Sequence, residues 1–383
     1  MAGCPLLSTS FLPLILMDAL SSLILSRVPG LTQAQAVALV RYYGTAQAAL
    51  DDDAPPSERW RELKSNAAGL EAARDRALRE MEYCQRHEVR IIPFSSMDYP
   101  SLLQAEEVSD APLVLFYRGS GKLNRRHVLS VVGTRHVTEY GKQFCERFFA
   151  ELSALLPDVF IISGLAYGVD IQVHRAALAN GLDTAAVLAH GQDRLYPSLH
   201  KTTALEMTAH GGLLTEYFTG TVPDKGNFVR RNRIVAGMSA GTLVVESAGH
   251  GGALITATLA GGYGREVMAV PGRVTDSYSS GCNQFIRDNR AALVTSAADV
   301  LRALGWEARA ASGPVEVRLF PDFTPEQERL VEVLRTADDL SADRLSVLTG
   351  IPVARLSDLL YDLEEMQVIK RMPGNRCRLT GLC

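Results

Sequence analysis

Between residues 127 and 296 one pattern recurs: a short apolar run rich in β-branched residues, closed by a loop, with a helical stretch before most of the next runs. The runs are HVLSVVG (127–133), VFIISG (159–164), TAAVLAHG (184–191), GLLTEY (212–217), TLVVES (242–247), EVMAVPG (266–272) and AALVTS (291–296). Segments such as EYGKQFCERFFAELSALL and LITATLAGGYG fall between them with helical spacing. Strands that are apolar along their length need cover on both faces, and helices between successive strands supply it. The pattern predicts an α/β fold with a Rossmann-like, doubly wound, mostly parallel sheet.

The flanks read differently. From Met17 to about residue 88 apolar residues recur every three or four positions, VPGL interrupts them, and Thr32 is a candidate N-cap for the next helix. Two helices around a Pro-Gly turn resemble a helix-hairpin-helix or sterile-alpha-motif-like module. A DNA-binding hairpin usually offers two glycines and only Gly30 is present, so a small packing module is the plainer reading. Residues 1–16 are expected to be an unstructured extension, with Met17 a candidate start. The stretch 305–322 carries Gly, Pro and small residues and reads as a linker. Beyond it, residues 323–383 offer three helical segments and two β-prone runs around PGN, the order of a winged helix. Its third helix, 352–366, sets Arg355 against Asp358, Asp362, Glu364 and Glu365, the wrong sign for a helix entering a DNA groove.

A chain of 383 residues with 47% hydrophobic and 21% charged residues is long enough for two or three domains. With 39 Lys+Arg against 43 Asp+Glu, its net charge of −4 excludes an overall cationic coat, so any polyanion must meet a local patch. The six cysteines show neither a C-x-x-C pair nor metal spacing with histidine, and read as buried thiols of a cytoplasmic protein. FLPLILM (11–17) has no basic leader, and no stretch reaches a membrane-spanning length. No metal, cofactor or membrane partner is expected.

Ligands of open α/β sheets bind beyond the C-terminal ends of the strands. Three loops there suit an anion: Gly133-Thr134-Arg135, the run Ser163-Gly164-Leu165-Ala166-Tyr167-Gly168, and GHGGALITA (249–257). None is a G-x-G-x-x-G fingerprint or a P-loop, which disfavours a nicotinamide or ATP enzyme. For any single loop, a tight turn that needs glycine is an equally good account. Asp170 and His174 lie four apart on one helix face, and a structural hydrogen bond is a simpler reading than a catalytic pair.

The densest charge is KGNFVRRNRIVAG (225–237), where Asp224 or the Gly226-Asn227 pair can start a helix. Arg230, Arg231 and Arg233 then fall in its early turns, where cations oppose the helix dipole at about 0.3–1 kcal/mol each. An incoming anion would explain them, and Phe228 beside them could stack a base. The competing reading pairs one of these arginines with an acid of the sheet.

These motifs, taken in order, carry a resemblance. DYPSLL…APLVLFYRG (98–119), VVGTRHVTEYG (131–141), SGLAYGVDIQVHRAAL (163–178), LYP (195–197), LLTEY (213–217), FVRRNRIVAG (228–237), GGALITATLA (251–260) and VPGR…GCNQFIRD (270–288) resemble the DNA processing protein A (DprA, or Smf) family over residues 90 to 300. The resemblance implies a non-enzymatic protein with an extended Rossmann-like domain at 89–304. Such proteins bind single-stranded DNA, form homodimers and load RecA recombinase in natural transformation. Carried over residue by residue, it places the DNA pocket at Arg135, Ser163, Gly164, Lys225, Phe228, Arg231, Asn232 and Arg233, with Arg230 shaping the local field. The chain departs from the family pattern at Val229, where proline is usual, and at Asn289-Arg290, where glycine-alanine is usual. The alternative is a nucleotide-processing enzyme of the phosphoribohydrolase-like Rossmann group, but GHGGALITA lacks the glutamate of that group's catalytic loop.

Overall fold

The seven predicted strands all form, and two more precede them. In chain order the sheet contains β1 (Arg90–Pro93), β2 (Val114–Arg118), β3 (Val128–Val132), β4 (Phe160–Ser163), β5 (Thr184–Val187), β6 (Gly211–Thr215), β7 (Gly241–Val244), β8 (Glu266–Ala269) and β9 (Ala292–Leu293). The computed structural model describes residues 12–308, 323–336, 340–365, 368–372 and 376–379. Spatial order is β1-β2-β6-β5-β4-β3-β7-β8-β9. From β6 to β9 every neighbouring pair is parallel, while β1–β2 and β2–β6 are antiparallel. The two added strands extend the sheet past β6, which is the extension the fold class anticipates.

Thirteen helices accompany this sheet: α1 (Leu12–Leu25), α2 (Gln33–Tyr43), α3 (Ala46–Asp51), α4 (Glu58–Ser65), α5 (Ala67–Arg86), α6 (Ser101–Gln104), α7 (Glu139–Leu155), α8 (Val169–Ala179), α9 (Lys201–Ala209), α10 (Lys225–Gly237), α11 (Gly252–Gly262), α12 (Ser280–Arg287) and α13 (Ala297–Leu304). Successive strand residues face opposite sides, and the two sides enter different cores. Val128, Val132, Phe160, Ile162 and Val187 join one core with Ile234 and Val235 of α10 and Ala253 and Ala257 of α11. Leu129, Val131, Ile161 and Leu243 join the other with Phe144, Phe148 and Phe149 of α7 and Val300 of α13. Two-sided burial is why these strands are apolar at almost every position.

The N-terminal expectations need two corrections. The first helix begins at Leu12, so residues 12–16 are helical and only 1–11 of the expected extension lie outside the described residues. Nor is the helical segment a domain apart: residues 12–308 belong to one compact unit, and Leu23, Leu25, Val37 and Trp60 share a core with Phe94, Tyr99 and Phe116. A polar clasp adds to this. Buried Glu80 of α5 pairs with Arg76 at 2.8 Å and accepts hydrogen bonds from the amide (2.9 Å) and hydroxyl (2.6 Å) of Thr219 after β6. The missed strand β1 explains the error, because it places the end of the helical segment at the sheet's edge. Thr32 is the N-cap of α2, closed by Gln35 in a capping box.

The C-terminal unit contains α14 (Pro325–Thr336), β10 (Leu340–Ser341), α15 (Ala342–Thr349), α16 (Val353–Glu365), β11 (Ile369–Met372) and β12 (Arg376–Leu379), with the strands ordered β10-β12-β11. This contains the expected three helices and hairpin. Arg355 of α16 is paired with Glu326 of α14, and Glu364 of α16 with Arg371 of β11, each at 3.2 Å. Most of the expected linker, residues 309–322, lies outside the described residues. Cys84, Cys145 and Cys282 are buried free thiols, each pushed up to about 12 by burial, so none is a ready nucleophile. Asn289, at the family's usual glycine, takes φ 54°, a left-handed conformation asparagine tolerates better than most residues.

Candidate nucleic-acid interface

Strand order reverses about β3, with β4, β5 and β6 following on one side and β7, β8 and β9 on the other. The crevice beyond the C-terminal ends of β3 and β7 is therefore the expected ligand position. Its loops are stitched together. The amide of Thr134 donates to the Glu246 carbonyl (2.7 Å), and the amide of Val169 donates to the Thr134 carbonyl (3.0 Å). Gly168, at φ +79°, lies where a Cβ would strike the backbone of Thr134 and Arg135, so glycine lets the loop after β4 close on the loop after β3. Arg135 is exposed at this mouth.

Helix α10 crosses the same mouth, started by Asp224, whose carboxylate accepts from the Asn227 amide at 3.0 Å. Lys225 alone of its cations lies in the first turn. Arg230, Arg231 and Arg233 sit in the second and third, beyond the reach of the terminal dipole. The expectation that three arginines oppose the dipole is thereby corrected.

Burial then divides the α10 cations. Lys225 and Arg230 are exposed and make no ion pair among the described residues. Arg233 is buried and donates to Glu216 at 2.5 Å, with side-chain exposures of 7% and 6%; it is the arginine that pairs with an acid of the sheet region. Arg231 is also buried, donates to the Val187 carbonyl and lies beside buried Asp170. Burial lowers the Arg231 pKa and raises that of Asp170, and each one's charge offsets the other's shift. Gly164 is the seat for this guanidinium, because a Cβ there would occupy the same space. The residues matching the family motif, Arg231 and Arg233, are thus internal. Arg230, expected only to shape the field, is the one presented to solvent. Asn232 is half-buried, with its amide donating to the Gly252 carbonyl at the start of α11 (3.5 Å).

Ser163 also departs from the expected role. It is fully buried and its hydroxyl donates to the Val131 carbonyl (2.6 Å), tying β4 to β3 and offering nothing to solvent. One amide of the loop it opens is met from within: Asp170, an acid of the first turn of α8, accepts from the Ala166 amide at 3.3 Å. Asp170 and His174 have separate partners, since His174 Nδ1 bonds Thr184 Oγ1 at 2.7 Å.

His174 is pushed down to about 3, first by burial and then by the charge of Arg231. Its folded pKa is depressed, so between pH 6.5 and 3 the unfolded chain takes up a proton that the folded chain refuses. This group's contribution to stability therefore falls as pH falls through that window, by about 1.4 kcal/mol per pH unit well below 6.5. Urea unfolding at several pH values is expected to show this slope in the wild type, and its loss in His174→Gln. Equal slopes in the two proteins would contradict a buried, neutral imidazole.

What the mouth presents is cation and ring together. The Arg135 guanidinium lies 5.0 Å from the centroid of Phe228, which is half-buried. From Phe228 the rings continue edge to face to Tyr196 (5.8 Å) and then Tyr167 (6.5 Å). Both tyrosines are exposed, at 42% and 41%. Neither was among the candidate site residues, although SGLAYGVD and LYP both stood among the motifs. No spacing within either motif indicates that the two loops bring their rings together.

Fold and site together define a Rossmann-like α/β protein whose strand-end mouth joins exposed cations to a row of aromatic rings, the chemistry of an anion that carries flat bases. The family model for DNA recombination-mediator protein A matches residues 90–305, and the chain belongs to that family. It is 36% identical over 354 residues to a putative DNA processing protein DprA of Mycobacterium tuberculosis, covering 89% of each chain. It is 38% identical over 208 residues to DprA of Streptococcus pneumoniae, covering 54% of this chain and 72% of that one. Among solved structures, the S. pneumoniae protein matches with a TM-score of 0.63 at 31% identity, covering 74% of this chain and 97% of that one. DNA processing protein A of Helicobacter pylori, solved for its single-stranded DNA binding mode, matches with a TM-score of 0.50 at 25% identity, covering 57% and 95%.

Proposed function

We propose that this protein binds single-stranded DNA without chemical turnover and delivers it to RecA recombinase during natural transformation, acting as a homodimer. The observation that carries the reading is the Arg135–Phe228 pair at the ligand edge, prolonged by Tyr196 and Tyr167, with exposed Lys225 and Arg230 on another face of α10. Arg135, Lys225 and Arg230 meet phosphates, and the rings stack bases. Arg231, Arg233, Ser163, Gly164 and Asn232 hold α10 and the mouth in position. Family membership and the single-strand binding of the H. pylori relative support the ligand. Delivery to RecA and dimer formation rest on the family resemblance and are tested by RecA filament assembly and by sedimentation. No helix among the described residues is long and apolar enough to cross a membrane.

Binding through phosphates releases counterions, with a slope of log K against log salt near −0.7 per phosphate neutralised on a single strand. Three exposed cations predict a slope of about −2. Arg230→Ala is expected to weaken binding to every sequence alike and to reduce the slope by about 0.7, measured by anisotropy titrations across salt. An unchanged slope would remove Arg230 from the interface.

A further inference from the structure

Lys225, Val229 and Arg233 follow one another at intervals of four residues along α10, with Arg230 beside them, so these side chains share one face of the helix. It is a different face from the one carrying Phe228 and Arg231. Together with α2 and α11 it lines an open groove of about 900 Å³. The groove is apolar at its base, where Val229 (44% exposed) and Ile255 of α11 (39%) stand uncovered. Lys225 and Arg230 line it as exposed cations, while Arg233 is held by Glu216, and the groove's one acid, Asp110, accepts the Tyr263 hydroxyl at 2.6 Å.

Loose packing between helices would leave a gap but would not surround it with cations. An apolar base beneath like charges suits a ligand with a flat apolar part and an anionic part. Lys225 also connects this groove to the mouth, because it stands one turn before Phe228 on the same helix.

We propose that this groove is a second section of the nucleic-acid track. It holds a neighbouring nucleotide of the same strand, with its phosphate on Lys225 and Arg230 and its base against Val229 and Ile255. The proposal rests on the single-strand reading above. It also assigns the N-terminal helices a part in the track, since α2 walls the groove through Gln33. The occupant is a nucleotide strand and not an acidic peptide, because Lys225 of the groove stands one turn before Phe228, whose ring suits a base.

The test uses the full chain and oligothymidylates of about 4 to about 16 nucleotides, the range covered by small single-strand-binding domains. Ile255→Asp and, independently, Val229→Asp place a carboxylate at the base of the groove, each at a site exposed enough to keep the fold. Each is expected to bind the shortest oligonucleotide as the wild type does and the longest about tenfold more weakly, because the new carboxylate repels the phosphate and is desolvated beside the base. If both variants match the wild type at every length, the groove is not part of the track, while the single-strand reading stands. If they match at every length but lose binding of an oligoglutamate peptide that the wild type holds, the groove is a protein site and the proposal is overturned. If the wild type binds none of the oligonucleotides, the single-strand reading itself fails and the groove proposal falls with it.

Discussion

Phe228→Ala is expected to weaken binding of a short single-stranded oligonucleotide by about tenfold to a hundredfold, while leaving the fold intact. Base-on-aromatic stacking contributes about 1–3 kcal/mol per base by alanine substitution. At Phe228 the ring also carries Arg135, whose guanidinium lies 5.0 Å from its centroid. Truncation therefore removes a stacking surface and frees a cation that the ring had positioned, which places the loss toward the upper part of that range. Because the ring is half-buried at the mouth and lies outside both sheet cores, the thermal midpoint should move little. Phe228→Trp, which keeps a larger stacking face, should retain most of the affinity. Fluorescence anisotropy at fixed salt, paired with a melting curve, checks all three expectations. A Phe228→Ala protein that binds as tightly as the wild type would rule out stacking as the central contact.

Glu216→Ala is expected to cost the fold about 3–5 kcal/mol, because it strands the Arg233 charge in a site where only 7% of that side chain reaches solvent. Desolvation makes an unpaired buried cation far more costly than the pair is favourable. Asp110, a second partner at 4.0 Å and half exposed, offsets the loss only in part and places it toward the lower end of that range. For a chain of this size the loss corresponds to a fall in Tm of about 4–6 °C. Replacing both partners by apolar residues of similar volume, Arg233→Met with Glu216→Leu, should recover most of the stability, since no charge is then left alone. The same double variant separates two roles of Arg233. Retained single-strand affinity would assign it to holding α10, and a large loss without a loss of stability would return it to the ligand. A Glu216→Ala protein that melts with the wild type would mean that Arg233 is not a buried partner at all.

The parallel sheet was legible because its cause is written locally. A strand covered on both faces must be apolar along its length, and Val128–Val132 and Phe160–Ser163 show this without reference to anything distant. The edge was less legible. β1 is four residues long with its N-terminal half facing outward, so RIIP carries no such signature. Missing β1 led directly to a helical domain drawn apart from a sheet it packs against.

Within the site, sequence alone determined that a cation-rich helix start with a phenylalanine lies at the ligand edge of a doubly wound sheet, because capping residues, charge and strand order are local or nearly so. Only the tertiary structure decided which cations face solvent. Arg230, Arg231 and Arg233 are the same residue type within four positions, and their difference comes from what lies opposite them: solvent for Arg230, the Val187 carbonyl and Asp170 for Arg231, and Glu216 for Arg233. Likewise Tyr167 and Tyr196 sit 29 residues apart in two unrelated loops and become neighbours of one another, with Tyr196 against Phe228, because β4 and β5 run parallel and end at one edge. Helix periodicity places a side chain on a face, but what that face meets is set by chain segments far away in sequence, and burial, pairing and charge state follow from that meeting.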